Sequence, residues 1–227
     1  QPAQGQDATL FPSLRDYSNE AIRLHGLAAL FPDRVLFEQP QLEIHSESRV
    51  AARVEDLPRA IKYIRLYRLN EAKYVLVEFQ THSALILDLR FLKSNYTAVD
   101  TLSAFASAKQ AKTLATVGTV PADLSISGET SSTVRDFPAI VLCNRETAGP
   151  FEAVLHQLQA AGAIIAVGES TAGRTGFYTK ASANAWILCG EVRPDSDTSL
   201  VGVGFEPRLQ LESDAKENYL RHHLYAT

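Results

Sequence analysis

Two short stretches hold most of the side chains that could do chemistry: Asn144-Arg145-Glu146-Thr147-Ala148-Gly149-Pro150-Phe151-Glu152 and Gly168-Glu169-Ser170-Thr171-Ala172-Gly173-Arg174. Thr147, Ser170 and Thr171 carry hydroxyls able to attack an acyl carbon. Such an attack needs a base in reach and donors for the oxyanion. Arg174 is a poor base, because a guanidinium is effectively always protonated. His156 follows on the next helix, on a face expected to meet solvent. Thr147 and Ser170 are thus the fallback candidates for a nucleophile. The same stretches read more readily as binding chemistry. The first N–H groups of a helix have no internal partner and form the positive end of its dipole, which suits an anion. Gly149 opens space there, and Arg174 adds a positive fork suited to carboxylate or phosphate. The expectation is an anionic ligand, such as a peptide carboxylate, held at Gly149, Phe151 and Arg174. The competing expectation pairs Arg174 with Glu146, Glu152 or Glu169.

The elements that must position these stretches follow from periodicity. Pro138 to Cys143 and Ala163 to Val167 are short continuous apolar runs bounded by turn signals, which fit strands buried on both faces. Pro150 sits where a helix accepts a residue without an N–H. Phe151, Val154, Leu155 and Leu158 then repeat at helical spacing, and Gly162 is a left-handed stop. Strand, helix and strand together predict a parallel, right-handed crossover. Further strands are predicted at 61–67, 84–89 and 113–117, and strand-like runs at 177–179 and 185–192. Helices are predicted at 97–109 and from Asp214 to Tyr225. Residues 70–83 fit either a helix capped by Asn70 or an alternating strand. Residues 119–136, rich in Ser and Thr, read as a long surface loop. A helix opening at Ser18 and ended by Pro32 precedes a connector. The organisation expected is a short N-terminal helical segment and connector over 1–56 and a core domain over 57–227. The fold class is α/β, with a mixed sheet and flanking helices.

The central stretch resembles the core of the carboxyl-terminal-processing (tail-specific) serine peptidases, of ClpP/crotonase-like fold. In that family a strand ends in Asn, a turn of the type S-A-S-A-S-E carries the nucleophile, and a loop of the type G-E-x-T-x-G-K-G carries a lysine base. Here Asn144, Glu152 and Gly168-Glu169-Ser170-Thr171-Ala172-Gly173 match. The nucleophile position is Gly149 and the lysine position is Arg174, at the family's own separation. Leu85-Ile86-Leu87-Asp88-Leu89-Arg90 resembles the family's L-I-L-D-L-R strand, but Phe91-Leu92-Lys93-Ser94-Asn95 replaces its N-x-G-G. Val203-Gly204-Phe205-Glu206-Pro207-Arg208 resembles G-V-x-P-D, with Arg208 at the Asp position. The likeness runs from Ile61 to Glu212, and residues 33–60 are too few for the PDZ module many members carry. It implies a peptidase-like chain without the Ser/Lys dyad: a non-catalytic binding or interaction module. The alternatives are a hydrolase with a relocated constellation, or a structural partner of an active homologue. Retinoid-binding modules are a family precedent for this fold without proteolysis.

Composition narrows the classes. The chain has 227 residues, 45% hydrophobic and 21% charged, which is ordinary globular usage. A net charge of −4 and a pI near 5.9 speak against a nucleic-acid or anionic-membrane surface. No apolar stretch reaches the ~18 residues of a membrane span. The chain lacks methionine altogether, and its polar, small-residue start resembles what signal-peptide removal leaves. The family's usual location then implies a secreted or periplasmic protein. Cys143 and Cys189 read as unbridged thiols acting as small hydrophobes. The sequence calls for no cofactor and no metal: His45, between Glu43 and Glu47, reads as a solvated histidine near carboxylates, and His222 and His223, late in the terminal helix, lack partners for a metal site.

Overall fold

A computed structural model describes residues 35–36, 52–69, 83–105, 113–124, 139–182 and 185–211. In chain order the elements are β1 (Val35–Leu36), β2 (Ala52–Leu57), β3 (Ile61–Leu66), β4 (Ala84–Asp88), α1 (Val99–Phe105), β5 (Ala115–Gly118), β6 (Ala139–Cys143), α2 (Glu152–Ala160), β7 (Ile164–Gly168), β8 (Gly176–Ser182), β9 (Ala185–Arg193) and β10 (Leu209–Gln210). The chain divides into two compact units, Gln1–Gln41 with Tyr178–Cys189, and Leu42–Phe177 with Gly190–Thr227. In the smaller, β1 pairs antiparallel with β9 through Val35 opposite Ile187.

The larger unit holds a six-stranded sheet in the order β10-β7-β6-β4-β3-β2. Every neighbouring pair is parallel except β2–β3. This is the mixed α/β sheet expected. β6, α2 and β7 form the predicted crossover, with Val141 opposite Ala166. α2 buries Val154, Leu155 and Leu158 completely against the strands, alongside Val99 and Leu102 of α1. Each such side chain contributes about 1.5–3 kcal/mol by leaving water. Ala163 N–H reaches back to Leu158 O at 2.8 Å and Gly162 adopts φ 71°, the left-handed close of a Schellman end.

The structure adds β2, where a featureless connector was expected. It forms a hairpin with β3 from Ala52 opposite Leu66 to Leu57 opposite Ile61. Its turn places Arg59 and Ala60 at φ 65° and 54°, residues that carry no glycine-type turn signal. β10 was also not foreseen. The expected elements at 18–32 and 214–225, and the parts of the expected elements that fall in 70–82, 106–112 and 125–138, lie outside the described residues. Among the described residues no helix is long and apolar enough to cross a membrane. Cys143 and Cys189 are not bridged to each other; burial pushes the Cys143 thiol up to about 12, so it acts as an inert core group.

Candidate functional site

The first functional stretch is a turn built by Asn144 and Thr147. Thr147 N–H donates to Asn144 O at 2.9 Å, and Asn144 N–H donates to Thr147 Oγ1 at 3.0 Å. The Thr147 hydroxyl lies 3.0 Å from Leu89 O and 3.1 Å from Asn144 Oδ1. Asn144 Oδ1 also accepts Phe91 N–H at 3.0 Å. Thr147 is fully buried, and its one proton serves two internal acceptors. It is a structural pin between the ends of β4 and β6.

Beyond the pin the chain zips along segment 92–94. Ala148 N–H donates to Leu92 O at 2.9 Å and Ser94 N–H donates to Ala148 O at 3.0 Å. Gly149 follows at φ +144°, a conformation essentially restricted to glycine. A Cβ at Gly149 would stand 2.0 Å from Ser94 O and 3.1 Å from the Phe151 ring. The space a side chain would need is already occupied by a backbone carbonyl. Phe151 is itself completely buried, so its ring serves the core and presents no surface to a ligand.

Glu152 is the hub. Its side chain is fully buried and turns back to the turn that starts its own helix. Oε1 accepts Gly149 N–H at 2.9 Å and Arg174 N–H at 2.9 Å. Oε2 accepts Gly173 N–H at 2.8 Å and the Thr171 hydroxyl. The Gly149 bond closes the turn that leads into the helix, and the other three hold the second stretch onto the first. Burial pushes the Glu152 carboxyl above its ordinary range, against the Thr171 and backbone donors that favour the ionised form. Thr171 extends the network, its Oγ1 accepting Phe205 N–H at 2.7 Å while its N–H donates to Phe205 O at 3.0 Å.

The anion at this helix end is therefore the chain's own Glu152. Arg174 contributes its backbone N–H to that carboxylate, while its side chain is exposed and has no ion pair among the described residues. The three expected partners are engaged elsewhere. Glu146 meets Lys93 at 3.3 Å, Glu169 meets Arg145 at 2.6 Å, and Glu152 is enclosed by donors. So the structure brings Gly149, Glu152, Thr171 and the Arg174 backbone together, and leaves the Phe151 ring and the Arg174 guanidinium apart.

A second buried carboxylate braces the neighbouring corner. Asp88 accepts Arg90 N–H at 3.0 Å, Arg90 Nε at 2.9 Å and Arg90 Nη2 at 2.7 Å, with the Tyr63 hydroxyl at 2.6 Å. Burial acts to raise its pKa, but the Arg90 hydrogen bonds and charge, with Tyr63, outweigh this and hold it below the usual range.

A photosystem II D1 C-terminal processing protease matches with a TM-score of 0.51 and 20% identity, over 74% of this chain and 46% of that one. This is the fold of the C-terminal processing proteases. Mature CPAF matches with a TM-score of 0.55 and 12% identity, over 88% of this chain and 60% of that one. A lipoprotein from Streptococcus agalactiae matches with a TM-score of 0.53 and 12% identity, over 98% and 90%. The chain thus spans less than half the length of the processing protease. No protein-family model matches it, and no curated protein does.

Within the processing-protease fold, the remaining candidates separate in space. Ser170 is exposed and lines a cleft with His156, Leu200, Val203 and Arg208. In sequence, His156 falls on a helix face expected to meet solvent and Arg208 stands where the resembling segment has Asp, and nothing in their spacing joins them. The one available signal was the resembling segment Val203 to Arg208. Among the described residues no three His, Cys, Asp or Glu gather as metal ligands.

Proposed function

We propose that this chain is a non-catalytic relative of the processing proteases, working outside the cytoplasm, in a secreted or periplasmic setting, as a binding or interaction module for a peptide or other anionic small ligand. Gly149 carries this reading. At the position matching the nucleophile there is no hydroxyl, the backbone stands at φ +144°, and Ser94 O occupies the side-chain direction. Arg174 at the base position cannot take up a proton. The segment matching the family's oxyanion glycines is hydrogen-bonded to Ala148.

The test is proteolysis. Purified protein should leave casein intact over long incubation and take no fluorophosphonate label. The double substitution Gly149→Ser with Arg174→Lys should also leave casein intact and should lower stability, because the new Cβ meets a fixed carbonyl. One observation favours a second reading: Ser170 and His156 line the same cleft, the residue types of a relocated hydrolase. Labelling that disappears in Ser170→Ala would refute the non-catalytic reading and install that one.

A further inference from the structure

The cleft of about 600 Å³ between α2, the loop after β7 and the segment before β10 is distinct from the Gly149 turn. Its walls are held rigidly. Gln159 donates through Nε2 to Glu206 O at 3.0 Å and accepts Arg208 N–H at Oε1, also at 3.0 Å. Thr171 fixes Phe205 from the other side, and Gly204 N–H closes a turn onto Leu200 O at 2.9 Å. On this frame stand two groups without internal partners. Arg208 is exposed, and its guanidinium has neither ion pair nor hydrogen bond among the described residues. The Ser170 hydroxyl is likewise unengaged. His156 lines the same space. Glu206, the acid in the lining, accepts Gln210 Nε2 at 2.6 Å.

The cleft also has an apolar wall. Leu200, Val203 and Pro207 line it, and Val203 is 74% exposed. Three of the six exposed large hydrophobics among the described residues, Val203, Leu209 and Leu211, fall within nine residues of sequence. A volume of this size suits a small organic ligand. An unpaired guanidinium beside an apolar wall recognises one chemistry best: a carboxylate head, accepted as a charge-assisted pair, on an apolar body.

We propose that this cleft binds small amphipathic carboxylates, with the head on Arg208, assisted by Ser170 and His156, and the body on Val203, Leu200 and Pro207. The proposal rests on the reading of the chain as a binding module and moves the binding site from Arg174 to Arg208. The probe is sodium octanoate, titrated into ¹⁵N-labelled full-length protein and followed by amide shifts. Saturable shifts are expected around residues 156–159, 170 and 200–208. Arg208→Gln and octanamide should each weaken binding about tenfold or more, the worth of a charge-assisted hydrogen bond. Val203→Ser should weaken it by a smaller factor. These substitutions are at exposed positions, so fold loss does not confound them. Absence of saturable shifts overturns the proposal. So do shifts confined to 144–151 and 174 that vanish in Arg174→Ala, and so does a carboxyl-terminal peptide that binds through Arg208 where octanoate does not. Fluorophosphonate labelling of the same samples separates the two failures: labelling sinks the binding-module reading, whereas an unlabelled protein that ignores octanoate sinks the cleft alone.

Discussion

Asp88 and Glu152 are both fully buried carboxylates at neighbouring corners of one sheet, and they are held in opposite ways. Asp88 has a cation: Arg90 grips it through side chain and backbone. Glu152 has no cation and accepts three backbone N–H groups and a hydroxyl. Their pKa values move in opposite directions, Asp88 down and Glu152 up. Equal burial sets an equal kind of penalty, and the partner decides whether it is overcome. At Asp88 the Arg90 charge and hydrogen bonds overcome it, whereas at Glu152 the hydroxyl and backbone donors do not. The two corners also differ in reach. Asp88 ties its own turn to β3 through Tyr63, whereas Glu152 joins the helix start, the loop after β7 and, through Thr171, the wall of the cleft.

The comparison predicts that Glu152→Ala is the most damaging single change, because it orphans four donors at once. A loss of at least about 4 kcal/mol is expected in urea unfolding, from about 1–3 kcal/mol per unsatisfied buried group. A loss below about 1 kcal/mol would break the comparison and mean that Glu152 is not the hub.

Arg90→Ala should cost about 2 kcal/mol. It strands a buried carboxylate, but Arg90 is 29% exposed, so the loss falls short of the roughly 3–5 kcal/mol of fully buried pairs. Asp88→Asn in the Arg90→Ala background should recover part of this, since it removes the stranded charge; a further loss would show that Asp88 is not held mainly by charge.

pH sharpens the contrast. Asp88, lowered below its unfolded value of about 3.9, contributes stability that is present above that pH and lost as pH falls through the folded value. Glu152, raised above about 4.3, contributes stability that is full below that pH and lost as pH rises through the folded value. Unfolding free energy against pH should therefore lose part of its acid limb in Asp88→Asn. In Glu152→Gln it should lose part of the decline above about pH 4.3. Two variants that flatten the same limb would erase the distinction.

The smallest effect belongs to Arg174→Ala, whose side chain lies outside both networks. Its stability should stay within about 0.5 kcal/mol of the parent, as thermal unfolding can check. A larger loss would mean that the guanidinium holds the loop, which its backbone N–H is here assigned to do.

Much of the fold was legible because its signals are local. β6, α2 and β7 announce themselves by apolar runs, helical spacing, Pro150 and Gly162, and their crossover handedness follows from chain chirality. β2 and β10 were not legible. β2 turns through Arg59 and Ala60, whose positive φ values no residue preference signals, and β10 is two residues long. Of the site, the missing side chain of Gly149 and the permanent charge of Arg174 were readable from residue type alone.

The sequence by itself determined that Gly149 offers no hydroxyl and Arg174 no proton-accepting group, because chemistry of that kind is a property of the residue. Only the tertiary structure decided what fills the space. Nothing local shows that Glu152 gathers the Thr171 hydroxyl and the Gly173 and Arg174 N–H groups, or that Ser94 O lies where a Gly149 side chain would go. Nothing local joins His156, Ser170 and Arg208 in one cleft. Those are meetings of residues distant in sequence, fixed by sheet order and backbone hydrogen bonds, and spacing along a chain does not encode them.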